Sequence, residues 1–246
     1  MEVHHHPNPS KKNFKEYFLE FLMIFLAVTL GFFAESLREH ISDRSKEKEY
    51  IHSYIKTLKE DTAQLRGIIL FDSTKDRGLD SVLKMNYFEL KDTNKQKKLF
   101  YYDLKYLDNI NLFKGSDAVM QQLKNTGSLR LIQKDHIADS IILYDESVND
   151  TYGQGEIYKS LFYELQTIQL TLFNLTIISD TFKFTLPEIM KLPIPMIDSD
   201  QQKIKIFFNK VFAYKSVNRY YYKVLLKKEL SFAEKLILLL KREYNL

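Results

Sequence analysis

The chain has 246 residues and a mass of 29.3 kDa, which suits one domain with an appendage. Composition is 45% hydrophobic and 28% charged, which excludes a chain disordered throughout, and the 7 glycines and 5 prolines are too few for a turn-rich β-sandwich or barrel or for a Gly-rich phosphate loop. Cys is 0, which excludes disulfides, thiol nucleophiles and Cys-based zinc sites, and a net charge of +4 from 36 basic and 32 acidic residues is too balanced to point to nucleic acid.

The first ten residues read MEVHHHPNPS. Imidazoles bind transition metals, but His4, His5 and His6 are adjacent in a Pro-containing tail. They fix no coordination geometry, and no second His or carboxylate cluster stands near them in sequence, so neither a metal nor any other cofactor is assigned.

Phe21 to Ala34 are fourteen residues without a charge. Tyr17 to Leu37 are twenty-one residues, interrupted only by Glu20 and Glu35. A bilayer-crossing helix needs about 20 mostly apolar residues, so the length suffices if both glutamates lie near the interfaces. Cleavage of a secretory signal after Ala34 would put bulky Phe32 where a small residue is required, which points to an uncleaved signal anchor. At 100° per residue, Glu20, Ala27, Gly31, Ala34 and Glu35 share one broad sector. Ala27 and Gly31 form an i,i+4 small pair that lets two helix backbones approach in lipid. Glu20 and Glu35 sit near opposite ends, which favours interface residues over a proton relay. Lys11, Lys12 and Lys15 precede the helix and Arg38, Arg44, Lys46 and Lys48 follow it, so basic residues alone do not set its direction. Long domains cross largely regardless of charge, and a cytoplasmic tail over 1–16 with the rest outside is the expectation.

Beyond Leu37 the pattern stays helical. Arg38 to Glu49 is charged on all sides and reads as a solvated stalk. Ile51, Ile55, Leu58, Leu65 and Ile69 follow a 3–4 spacing, with Thr62 filling the remaining step, as in a coiled-coil seam. Gly78 is the first expected break. Lys91 to Lys98 reads as a polar loop, and Leu99 to Leu107 as an aromatic and apolar helix. Ser116 suits an N-cap, and Gly127 a residue just past a helix end. A helix is expected over 135–149, a turn at Gly153 and Gly155, and an amphipathic helix from Glu156 to about Asp180. Pro187, Pro193 and Pro195 indicate a loop. Helix resumes near Asp200, and Ser231 and Glu234 have capping-box spacing that either starts a last helix or lies within a continuous one. The expected fold is all-α: a membrane helix (17–37) continuing into a stalk helix (38–75), then a bundle of four to six helices (76–246).

Motifs for metalloproteases, P-loop nucleotide sites, nucleophile elbows and dinucleotide sites are absent from the sequence. His40, His52 and His136 are isolated, and the adjacent Glu60 and Asp61 fall about 100° apart on a helix, so they make no acid/base pair by spacing.

Two stretches carry a family likeness: NFKEYFLEFLMIFLAVTLGFFAES at 13–36 with LKEDT at 58–62, and SDAVMQQLKNTGSLRLI at 116–132. Together with the terminal KREYNL they resemble an uncharacterised family of single-span membrane proteins common in Bacteroidetes-type bacteria. Asn125-Thr126 stands where that family usually has Ser-Ser, and the HHH tail and the aromatic richness also depart from it. The resemblance implies topology and a bacterial origin, and it adds to the expectation of a tail inside and a body outside; it implies no activity. The expected location is therefore the bacterial inner membrane, single-pass, with the bulk of the chain in the periplasm.

The expectation is therefore a non-enzymatic, membrane-anchored helical protein, a structural or accessory subunit. Its partners would be lipid, a second copy or other membrane subunits, and not nucleic acid. The alternative is a periplasmic ligand-sensing bundle, for which Arg130 is the ligand contact suggested by sequence.

Overall fold

The computed structural model describes residues 13–116, 118–125, 127–178 and 184–246. The tail histidines, Lys11, Lys12, Thr126 and Asp180 fall outside them. The fold is all-α, and the β pairing among the described residues is one isolated bridge, Phe173 to Met196. The chain divides into two units, Met1–Glu49 and Tyr50–Leu246. Helix α1 (Phe14–Leu83) contributes to both.

In the first unit, α1 opens with the Asn13 backbone N–H donating to the Glu16 carboxylate at 3.1 Å, a favourable placement of negative charge at a helix N-terminus. Every residue from Phe14 to Leu37 is exposed, the large apolar side chains included.

In the second unit, α1 is a wall of the bundle. Ile51, Ile55, Leu58 and Leu65 are buried and Ile69 is partly buried, so the seam read as a stalk packs into the core from Tyr50 onward, and the compact unit starts there instead of at 76. The other helices are α2 (Thr93–Tyr106), α3 (Ala118–Asn125), α4 (Asp135–Leu172), α5 (Leu186–Ile189), α6 (Gln201–Tyr220) and α7 (Lys227–Tyr244). A π-helical turn, Tyr221–Leu226, joins α6 to α7.

Several expected breaks are not breaks. Helix α1 continues through Gly78, where the Tyr106 ring packs into the space that a Cβ would take. Helix α4 runs through Gly153 and Gly155, merging two expected helices, and ends at Leu172. The polar stretch before Leu99 is helical from Thr93, where the Asp92 side chain accepts from the Asn94 N–H at 2.7 Å. Ser231 and Glu234 lie inside α7, the second of the two alternatives their spacing allowed. Helix α6 starts at Gln201, close to the expected position, with Asp200 capping it through the Gln202 N–H at 2.8 Å, and Gly127 adopts a left-handed φ of 64° just past α3, as expected of it.

Two apolar clusters fill this unit. One joins the start of the bundle part of α1 to α3, the N-terminal part of α4 and α7, through residues such as Leu58, Leu123, Ile141 and Leu236. The other joins Leu65 to Val82 of α1 to α2, the C-terminal part of α4 and α6, through Phe100, Phe162, Phe207 and Val211 among others. On α1 the buried polar pair Asp61 and Thr62 stands between Leu58 of the first cluster and Leu65 of the second.

Candidate functional site

Within the first unit, Glu20, Ala27, Gly31, Ala34 and Glu35 all lie on the exposed length of α1. A Cβ added at Gly31 meets nothing within 4 Å, so this face is open for close approach by another helix. Glu35 pairs with Arg38 one turn on, its carboxylate accepting from Nε at 2.9 Å, as suits a charge near the end of an apolar run. An eighteen-residue stretch of α1 has the length and composition of a bilayer-crossing helix, and 0% of it is buried.

Within the second unit, a pocket of about 230 Å³ opens between α1, the loop before α3, α3 itself and α4. Tyr54 and Asp61 of α1, Ser116 of the loop, Met120 of α3, and Tyr144 and Tyr152 of α4 line it, with Lys114 and Asp145. Asp61 is the polar centre. It is 2% exposed and accepts from the Ser116 backbone N–H at 2.9 Å and the Tyr144 hydroxyl at 3.1 Å. Burial raises its carboxyl above the ordinary carboxylate range, and the hydrogen bonds from Ser116 and Tyr144 oppose that shift. Glu229 of α7 is also buried, accepting from Ser147 at 2.6 Å and Thr151 at 3.3 Å, and burial raises it too. Both carboxylates, after burial itself, push up the Tyr144 hydroxyl; Asp145 joins them on Tyr54.

A second polar cluster lies deep in the same unit. Lys75 of α1 donates to the Asn109 carbonyl and to Tyr214 Oη at 3.0 Å, and its Nζ stands 4.9 Å from the Phe71 ring centroid and 5.4 Å from that of Tyr214. Tyr158 stacks on Tyr214 at 5.0 Å and donates to Asn218 Oδ1 at 2.7 Å. Burial lowers Lys75 and raises Asp72, and each charge opposes the other's shift. These groups are buried, and the arrangement is that of a packed core holding an interior ammonium group.

Arg130 does not belong to the pocket. It is exposed on the 3₁₀ turn Ser128–Leu131, and the pocket lining does not include it; the buried carboxylate of that lining is Asp61. Adjacency to Glu60 gives Asp61 no catalytic spacing, yet it lies three residues after Leu58 and four before Leu65, which is the spacing of the seam and the sequence signal of its burial. Among the described residues no group of three or more His, Asp or Glu is placed to hold a metal ion. Comparison with protein-family models, with curated proteins and with solved structures gives no match for the chain.

Proposed function

We propose that the chain is a single-span, membrane-anchored helical protein without enzymatic activity, serving as an accessory or structural subunit of a bacterial inner-membrane complex with its body in the periplasm. One observation carries this reading: the apolar length of α1 from Tyr17 to Leu37 is exposed throughout. A core helix of a water-soluble protein buries such a surface; an exposed apolar surface of that length requires lipid or another apolar partner. The sequence resemblance to single-span bacterial proteins supports the same topology. The small-residue face at Ala27, Gly31 and Ala34 gives the helix a means of pairing in lipid.

Crosslinking and affinity purification from native membranes test this reading. A stoichiometric partner, either a second copy or another membrane subunit, is expected, and Gly31→Leu is expected to release it. A strict monomer in detergent, with no effect of Gly31→Leu on any partner, contradicts it.

The second reading is a ligand-sensing bundle. The pocket around Asp61 favours it: a buried polar group set in a partly apolar concavity is what a small-molecule site requires.

A further inference from the structure

The pocket around Asp61 combines two features that together select charge. Its walls include three tyrosines, Tyr54, Tyr144 and Tyr152. The faces of aromatic rings attract cations, and organic ammonium groups are bound by such walls in combination with a carboxylate. The carboxylate is present, and its own partners are neutral. Asp145 is engaged by Lys124 at 2.5 Å, and Lys228 acts on Glu229. Asp61 is held by Ser116 and the Tyr144 hydroxyl, all neutral donors, and no cationic side chain pairs with it among the described residues. Lys114, a basic side chain in the lining, is exposed, so water and salt screen its charge. The interior cluster at Lys75 shows the same chemistry satisfied within the chain, an ammonium held by tyrosine rings and hydroxyls.

We propose that this pocket binds a small organic cation, an amine or quaternary ammonium compound, with Asp61 as its counter-ion and Tyr54, Tyr144 and Tyr152 as its aromatic walls. At about 230 Å³ the pocket is below the ~300–1,000 Å³ of drug-sized sites, so the ligand is small. The proposal rests on the ligand-sensing reading and adds the chemical class of the ligand.

Isothermal titration calorimetry on the full chain in detergent tests it, with choline and putrescine as the cations and 3,3-dimethylbutan-1-ol as the uncharged shape-mate of choline. Saturable one-site binding of choline or putrescine is expected, with the alcohol at least roughly tenfold weaker, the order of advantage for a desolvated cation over an aromatic wall. Asp61→Asn is expected to abolish the preference for charge. Lys114→Gln changes an exposed, screened side chain that leaves the core untouched, and is expected to leave cation binding unchanged or tighten it by no more than about twofold. Equal binding of the alcohol, or looser cation binding in Lys114→Gln, overturns the cation assignment while leaving a ligand pocket. Absence of heat with all three compounds removes both the assignment and the ligand-sensing reading.

Discussion

Asp103 of α2 illustrates how single buried groups set the behaviour of this fold. Its Oδ1 accepts from Gln169 Nε2 of α4 at 2.7 Å. Burial pushes its carboxyl up to about 7; the Gln169 hydrogen bond opposes the shift and the nearby Asp108 charge adds to it. In the unfolded chain the same group titrates near the ordinary value of 3.8. Between these two pH values the folded chain keeps a proton that the unfolded chain has released. Stability is therefore fullest at the acidic end, falls as pH rises towards about 7, and is level above it. Asp103→Asn keeps the acceptor for Gln169 and cannot ionise. Its melting temperature is expected to exceed the parent's at pH 8, with the gap closing towards pH 4; the gain is a few kcal/mol at most, at about 1.4 kcal/mol per unit of pKa separation. Thermal melts across that range check it, and a variant less stable at every pH contradicts it. Other buried charges were legible in principle. The 3–4 seam that contains Leu65 and Ile69 continues through Asp72, Asp76 and Leu79, so two carboxylates occupy core positions. Reading the seam only as far as its aliphatic residues hid them. The Asp76 carboxylate accepts from Arg219 and Tyr222, while Asp72 feels the Lys75 charge one turn on and its backbone carbonyl accepts from Asn218; no spacing in the sequence announces the distant groups.

At the scale of elements, the sequence placed helices well and misplaced several of their ends, and glycine is the reason where a helix runs on through an expected break. A glycine inside a helix costs about 1 kcal/mol relative to alanine, so an isolated one reads as a break. Packing decides otherwise here. Gly78 is where the Tyr106 ring lies against α1, and Gly155 faces Tyr221 Oη, which would stand 3.3 Å from an added Cβ. Gly153 has open space around it and is exposed. The three alanine variants should therefore separate. Gly153→Ala is expected to stabilise by about 0.5–1 kcal/mol through helix propensity. Gly78→Ala is expected to destabilise by about 1–3 kcal/mol through overpacking, and to lose that penalty when Tyr106 is also changed to Ala. Gly155→Ala is expected to fall between them. Denaturant melts rank the set, and a stabilising Gly78→Ala contradicts the close packing. The π turn between α6 and α7 was equally hidden. It follows one α-helix and precedes another without Gly or Pro, and it coincides with two consecutive buried tyrosines, Tyr221 receiving the Phe113 N–H at 3.0 Å and Tyr222 donating to Asp76 at 3.0 Å.

At the scale of the molecule, the proposed account is a helical body held at a membrane by the first helix of its own chain. The apolar run was legible because bilayer thickness imposes a length that hydropathy displays directly. The limits of the folded unit were not, because residues 50–69 present a seam that serves a free coiled coil and a bundle wall equally well. The pocket was less legible still: its walls come from α1, α3, α4 and a loop, and only Asp61 carried a local hint. The absence of cysteine, Cys 0, makes the central claim directly measurable. Asn13→Cys precedes the apolar helix and Lys228→Cys lies on the exposed surface of α7, and each gives a thiol without background. Labelling intact cells and then permeabilised cells with a membrane-impermeant maleimide reads the side on which each thiol sits. The account predicts that, once the outer membrane is opened, position 228 is labelled and position 13 is not until the inner membrane is permeabilised; equal labelling of both before that step, or recovery of the protein in the soluble fraction without detergent, contradicts it.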